Sequence, residues 1–151
     1  MLQTAPKQRK GTTIVSVYLL FRKGDEICLL LRRNTGYNDG RYGLIAGHVE
    51  DGEPATAAMI REAHEEAGLI LTPDSIQVAH IMHRKTSQDR LGIEIFFECK
   101  SWSGQLENKE PHKCEELRFF PLDNLPQNAI FYVVEAIQAV SRGQFYSERG
   151  W

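Results

Sequence analysis

The 151-residue chain has only three cysteines, Cys28, Cys99 and Cys114, with no CxxC and no Cys/His ligand spacing. That scarcity argues against a disulfide framework and a zinc site, and reduced thiols packed in strands are expected for Cys28 and Cys99. An excess of one charge is missing too: 18 Lys and Arg against 20 Asp and Glu leave a formal net charge of −2. Without a basic field, long nucleic acid drops out as a partner. No apolar run approaches the length needed to span a bilayer, and TIVSVYLLF near the N-terminus has the β-branched and aromatic content of a strand rather than of a signal-peptide core. No membrane role is expected, and cytoplasm is the default compartment. Repeats and low-complexity linkers are absent, so residues 1–151 are expected to form a single domain with its own core, residues 1–10 being a loose segment.

What the chain does have is concentrated in residues 47–69, GHVEDGEPATAAMIREAHEEAGL. Pro54 suits a first helical position and Gly68 a left-handed stop, which predicts one helix of about four turns. At roughly 100° per residue, Glu62, Glu65 and Glu66 fall within about 100° of one another, while Ile60, Ala63 and Ala67 share a different face. Like charges at these spacings repel by a few tenths of a kcal/mol per pair. Three such glutamates taken alone are more often a solvated acidic face; the other reading is a site for a hard divalent cation. Glu53, just before Pro54, stands where a carboxylate can cap the helix. Arg61 adjoins Glu62 too closely along the chain to share its face.

Around the helix the pattern is strand-rich. Residues 12–22 and 26–33 form two β-rich runs either side of Lys23-Gly24-Asp25, a predicted antiparallel hairpin, and 76–84 with 92–100 predict another. Arg32 and Arg33 end one strand, where they either meet substrate phosphates or are simply solvated. The loop NTGYNDGRYG carries Tyr37 and Tyr42, aromatic faces able to stack on a nucleobase, although Tyr42 could equally pack at a strand start. Met82, Phe96 and Phe97 read as core. Glu94 alternates with Ile93 and Ile95, either solvated or, on the helix side, an extra carboxylate. A C-terminal helix is expected over about 128–142 from the stripe Ile130, Val133, Val134, Ile137 and Val140. The tail QFYSERGW fits a cover over a pocket or a neighbouring subunit, or a frayed end.

Residues 47–69 match, without departure, the pattern G-x5-E-x7-R-E-U-x-E-E-x-G-U, with U apolar, through Gly47, Glu53, Arg61, Glu62, Ala63, Glu65, Glu66, Gly68 and Leu69. On these residues the chain resembles the Nudix hydrolases. Where many relatives have Pro-Gly-Gly before the box, this chain has Ile45-Ala46-Gly47. The resemblance implies an α+β Nudix fold, an α/β/α sandwich with a mixed central sheet. It also implies hydrolysis of the diphosphate linkage in a nucleoside diphosphate joined to a group X, with Mg²⁺, or Mn²⁺, as the cofactor. It places the metal on Gly47, Glu62, Glu65 and Glu66, makes Arg61 the residue that orients the catalytic glutamates, and matches Glu110 to a further glutamate that some relatives carry on a loop. Glu107, Glu115 and Glu116 compete for that match. The catalytic set is thus Arg61, Glu62, Glu65 and Glu110, and the substrate-binding candidates are Arg32, Arg33 and Tyr42.

The MutT-like group implies a (deoxy)nucleoside triphosphate as substrate. ADP-ribose or a nucleotide sugar is the alternative, weakened by the lack of a proline some fifteen residues past the box, where Arg84, Lys85 and Thr86 stand. A non-catalytic nucleotide-sensing module is a third reading. The partner in each case is a small nucleotide, and either a monomer or a homodimer is compatible with the chain.

Overall fold

In the computed structural model, residues 12–86 and 90–151 are described. The expectation of a loose segment at residues 1–10 lies outside them. The run predicted for residues 12–22 divides into β1 (Thr13–Leu20) and the short β2 (Arg22–Lys23), followed by β3 (Glu26–Arg32). Only β2 pairs with β3 in the predicted hairpin, through Arg22 with Ile27 and Lys23 with Glu26. The body of β1 leaves for another sheet, where it pairs antiparallel with β5 (Ile45–His48). Two short apolar runs joined by a turn signal a hairpin locally, but the non-local partners of β1 win it away.

The five-stranded sheet is completed by β7 (Ile76–Lys85), β8 (Leu91–Cys99) and β11 (Tyr146–Arg149), in the order β11-β7-β8-β1-β5. It is mixed: β1 runs parallel to β8 and β11 parallel to β7, while β7 and β8 form the predicted antiparallel pair. The tail therefore neither frays nor covers a pocket; residues 146–149 extend the sheet edge. A smaller antiparallel sheet holds β10 (Cys114–Pro121), β3 and β2, with β4 (Tyr42–Gly43) also against β3. The remaining pair is β6 (Leu69–Ile70) with β9 (Ser103–Gly104).

Alternation along β1 builds two cores. Val17 and Leu19 face helix α1 (Ala55–Ala67), whose Ala58, Met59, Ala63 and Ala67 are fully buried against them. Small alanines let the helix approach the strands closely, and Met59 fills the gap, a burial worth roughly 1.5–3 kcal/mol. Tyr18 and Leu20 face the other way, with Phe96 and Met82, onto Tyr132, Val133, Ala136 and Ile137 of helix α2 (Phe131–Ser141). α2 starts later than the predicted 128. Pro54 is the N-cap of α1 rather than its first helical residue, and Gly68 closes it at φ 68°. Backbone N–H at this cap reaches back to the Ala63 and His64 carbonyls, which satisfies orphan acceptors of the last turn. Cys28, Cys99 and Cys114 are free thiols on strands. Among the described residues no helix is long and apolar enough to cross a membrane.

Candidate active site

Helix α1 lies so close to β5 that the glycine between them is a requirement. A Cβ built on Gly47 would stand 2.1 Å from Cδ of Glu62 and 2.2 Å from its Oε1. Only a residue without a side chain lets the Glu62 carboxyl rest against the strand. One turn further along, an oxygen of Glu66 accepts the Ala46 N–H at 3.3 Å. Burial pushes the Glu66 carboxyl well above the ordinary range; the neighbouring charge of Glu62 adds to this and the Ala46 N–H opposes it. Burial raises Glu62 as well, against the pull of Arg61. Glu65 is the outermost, its side chain 52% exposed against 14% for Glu62.

Arg61 ties these groups together. Its Nη2 meets Glu53 at 2.6 Å and the His48 carbonyl at 3.2 Å, and its Nη1 meets Glu62 at 2.7 Å and Glu65 at 3.3 Å. The expectation that adjacency keeps Arg61 from pairing with Glu62 is thus corrected: the long side chain bends around the helix, so Cβ direction does not limit its head group. Glu53 makes no cap bond to α1. Instead Glu53 accepts the Glu50 N–H at 2.9 Å and holds Arg61, whose guanidinium keeps its carboxyl below the usual carboxylate range.

These residues form one end of a cleft of about 580 Å³, which Gly47, Glu62, Glu65, Glu66, Arg61 and Glu110 all help to line. Lys113 Nζ stands 3.7 Å from Glu110. Arg32 also lines the cleft, its Nε donating to the Tyr37 carbonyl at 2.8 Å and its Nη2 to Thr35 Oγ1 at 3.1 Å. Two predicted substrate residues are not brought there. Arg33 turns away to donate to the Pro111 carbonyl at 2.8 Å, because neighbouring strand residues point to opposite faces. Tyr42 is buried, its hydroxyl bonded to Glu116 and its ring edge-on to Phe120, so it packs the strand start.

The opposite end of the cleft is aromatic. Tyr18, Tyr37 and Tyr132 line it together with Ile130 and Val133. Of these, only Tyr37 stands out as a candidate in the sequence. Tyr18 and Tyr132 carry no signal beyond core periodicity, since their place in a cleft wall depends on how α2 packs across the sheet. Ser16 and His48 share the floor. Glu94, expected to be solvated or on the α1 side, is instead 2% exposed on the α2 side of the sheet, 2.6 Å from Arg84. Burial raises its carboxyl and Arg84 opposes the rise.

The sequence profile of the NUDIX domain matches residues 11–138. The chain belongs to the NUDIX family. Among relatives, it is 29% identical over 134 residues to the NAD-capped RNA hydrolase NudC of Stutzerimonas stutzeri, covering 85% of this chain and 46% of that protein. It is 32% identical over 115 residues to the ADP-ribose pyrophosphatase of Methanocaldococcus jannaschii, covering 76% of this chain and 66% of that protein. The chain thus spans about half to two thirds of the length of these relatives. In fold it resembles the crystal structure of a MutT NUDIX hydrolase from Burkholderia pseudomallei, with a TM-score of 0.76 at 24% identity over 84% of this chain and 97% of that one. The mixed sheet between α1 and α2 is accordingly the Nudix fold.

Among the described residues, no group of three His, Cys, Asp or Glu side chains is clustered tightly enough to hold a metal ion unaided. The chemistry of the donors nonetheless fits a hard divalent cation. Glu62, Glu65, Glu66, Glu110 and the Gly47 carbonyl are all oxygen donors, and the Gly47 cradle leaves room for a carboxylate where a Cβ would displace it. Mg²⁺ in particular keeps waters and shares its shell with phosphates, so it does not require an all-protein cage.

Proposed function

We propose that the protein is a Mg²⁺-dependent hydrolase that cleaves the diphosphate linkage of a nucleoside diphosphate joined to a further group. The observation that carries this reading is the make-up of one cleft: mutually repelling carboxylates, Glu62 and Glu66 half-buried and Glu65 exposed, together with three tyrosines. Such a cleft is within the usual size range for a small-molecule site. A diphosphate with its cations neutralises the carboxylates, and a nucleoside suits the tyrosines.

Glu62, Glu65 and Glu66 with the Gly47 carbonyl would hold the metal; Mn²⁺ is chemically equivalent there. Bound there, the ion supplies charge to the phosphoryl oxygens and lowers the pKa of water. Arg61 fixes the Glu62 and Glu65 carboxyls from the side, so it acts as a positioning residue. Arg32 offers a cation to the phosphates, and Glu110, beside Lys113, is the candidate to take a proton from the attacking water. Catalytic roles for Glu62, Glu65 and Glu110 follow from this arrangement.

Within that class we favour a (deoxy)nucleoside triphosphate, cleaved to monophosphate and pyrophosphate, as the resemblance to the MutT-like group implies. ADP-ribose is the second reading, supported by the 32% identity to an ADP-ribose pyrophosphatase. The experiment is a product panel with Mg²⁺ over nucleoside triphosphates, ADP-ribose, nucleotide sugars, dinucleoside polyphosphates and NAD-capped RNA. Monophosphate with pyrophosphate from triphosphates alone would support the first reading; AMP from ADP-ribose would replace it with the second. No cleavage of any member, with nucleotide binding retained, would mean a sensor module.

A further inference from the structure

The loop that carries Glu110 into the cleft runs from β9 to β10, and its backbone is held on two sides. On the first side it lies along the C-terminal end of α1. The Glu107 N–H donates to the Ala67 carbonyl at 3.0 Å and the Lys109 N–H to the Glu66 carbonyl at 3.1 Å. These are last-turn acceptors that a helix leaves without an internal partner, and one of them belongs to Glu66 itself. Two glycines permit the approach: a Cβ on Gly68 would stand 2.9 Å from the Gln105 carbonyl oxygen, and one on Gly104 would stand 2.6 Å from that of Gly68.

On the second side the loop is gripped by the residues that leave β3, which take three successive carbonyls. That of Pro111 receives the Arg33 guanidinium, from Nε at 2.8 Å and also from Nη2. That of His112 receives Nδ2 of Asn34 at 3.2 Å, and that of Lys113 receives the Arg33 N–H at 2.9 Å. Inside the loop, Asn108 spans the turn at Glu110: its Oδ1 accepts the Glu110 N–H at 3.2 Å and its Nδ2 donates to the Cys114 carbonyl at 2.7 Å. With an N–H on one side and a carbonyl on the other, only this orientation of the amide satisfies both. The Glu110 carbonyl closes the turn by accepting the Lys113 and Cys114 N–H groups, both at 2.9 Å.

Glu110 is thus fixed relative to α1 and to β3 together. Its side chain lines the cleft, and its charge raises the carboxyls of Glu62 and Glu66. A group that takes a proton must stay within hydrogen-bond reach of it, and a loop supplies that precision only when it is braced from outside. Resting on the functional reading above, we propose that Arg33 and Asn108 are positioning residues, which hold the 107–114 loop so that Glu110 faces the carboxylates of α1. Arg33 touches neither substrate nor metal. Arg32 and Arg33 then serve one site from opposite faces of β3, the first inside the cleft and the second behind the loop that bears Glu110.

Arg33→Ala, Asn108→Ala and Arg33→Lys test the assignment, the last keeping one donor for the Pro111 carbonyl. Hydrogen exchange on the proteins without metal or nucleotide reads the clasp. The Glu110, Lys113 and Cys114 amides are expected to exchange about 10-fold faster or more in both alanine variants and to change less in Arg33→Lys, while the amides of α1 keep their rates. With Mg²⁺ and a cleaved nucleotide, kcat is expected to fall about 10-fold or more in the alanine variants at unchanged KM, and Arg33→Lys to recover part of the loss. Placed on Glu110→Gln, Arg33→Ala should cost no more than about 2-fold further, because the carboxylate it positions is already gone. A merely structural role would lower turnover equally in both backgrounds. Loop amides that exchange alike in wild type and both alanine variants, a kcat within about 3-fold of wild type in both, or equal losses with and without the Glu110 carboxylate overturn the proposal. Because exchange needs neither metal nor turnover, a loop loosened by Arg33→Ala in a protein that cleaves no nucleotide would refute the hydrolase reading and leave the clasp standing.

Discussion

Gly47→Ala isolates the geometry on which the catalytic reading depends. The new Cβ would lie 2.1 Å from Glu62 Cδ, whereas ordinary contact begins near 3.4 Å, so the carboxyl must withdraw by more than 1 Å. The atoms in the way are the far end of a flexible side chain, so the strand and helix can stay in place. What moves is the one carboxylate seated between β5 and Arg61. A misplacement of about 1 Å at a reacting centre costs on the order of 100-fold in rate. Gly47→Ala is therefore expected to melt within a few degrees of the wild type and to lose about 100-fold in kcat for Mg²⁺-dependent cleavage. Adding Glu62→Ala to Gly47→Ala should cost little more, since the same group would already be out of position. The assay is pyrophosphate or phosphate release under saturating Mg²⁺, alongside a thermal melt. A Gly47→Ala protein within about 3-fold of wild-type turnover would refute the reasoning, because a displaced Glu62 would then not matter.

Further outcomes follow from the same geometry. Arg32→Ala should raise KM for the substrate by about 10-fold, whereas Arg33→Ala should leave KM unchanged because Arg33 is held on the Pro111 carbonyl; equal effects in steady-state kinetics would contradict the placement. Glu66 has a folded-state pKa raised by burial, so the native state binds the extra proton and metal-free stability falls as pH rises from the ordinary carboxylate range through the raised value. Glu66→Gln should flatten that decline and raise the metal-free melting temperature at neutral pH while abolishing Mg²⁺-dependent turnover; melts across pH 4 to about 8 read the slope. Wild-type protein should recover stability at neutral pH on adding Mg²⁺, and Glu66→Gln should recover little of it, as read by Mg²⁺ titration of the melting temperature.

The box between Gly47 and Leu69 was legible along the chain because its spacings are those of a single helix. Local periodicity and a left-handed glycine at position 68 are enough to place Glu62, Glu65 and Glu66 on neighbouring positions. The strands were legible as apolar runs, and so was the antiparallel pairing of β7 with β8, whose partners are near in sequence. The destination of β1 was not. Its hairpin signal toward β3 was real over two residues only, and its parallel pairing with β8 joins residues some eighty positions apart, which no local pattern records. The same limit hid the site's second half. Arg33 and Tyr42 have the right chemistry beside the right loop, but strand alternation and a bond to Glu116 turn them elsewhere.

What the order of amino acids determined by itself was the carboxylate-bearing helix, its terminal glycine and the family to which the chain belongs, since all of these depend on neighbours within a few turns. Only the tertiary structure decided that Tyr18 and Tyr132 meet in the wall of the cleft. They sit on β1 and α2, and their meeting depends on which face of the sheet α2 covers. That choice is made by the packing of whole elements, to which each of these residues contributes only one side chain.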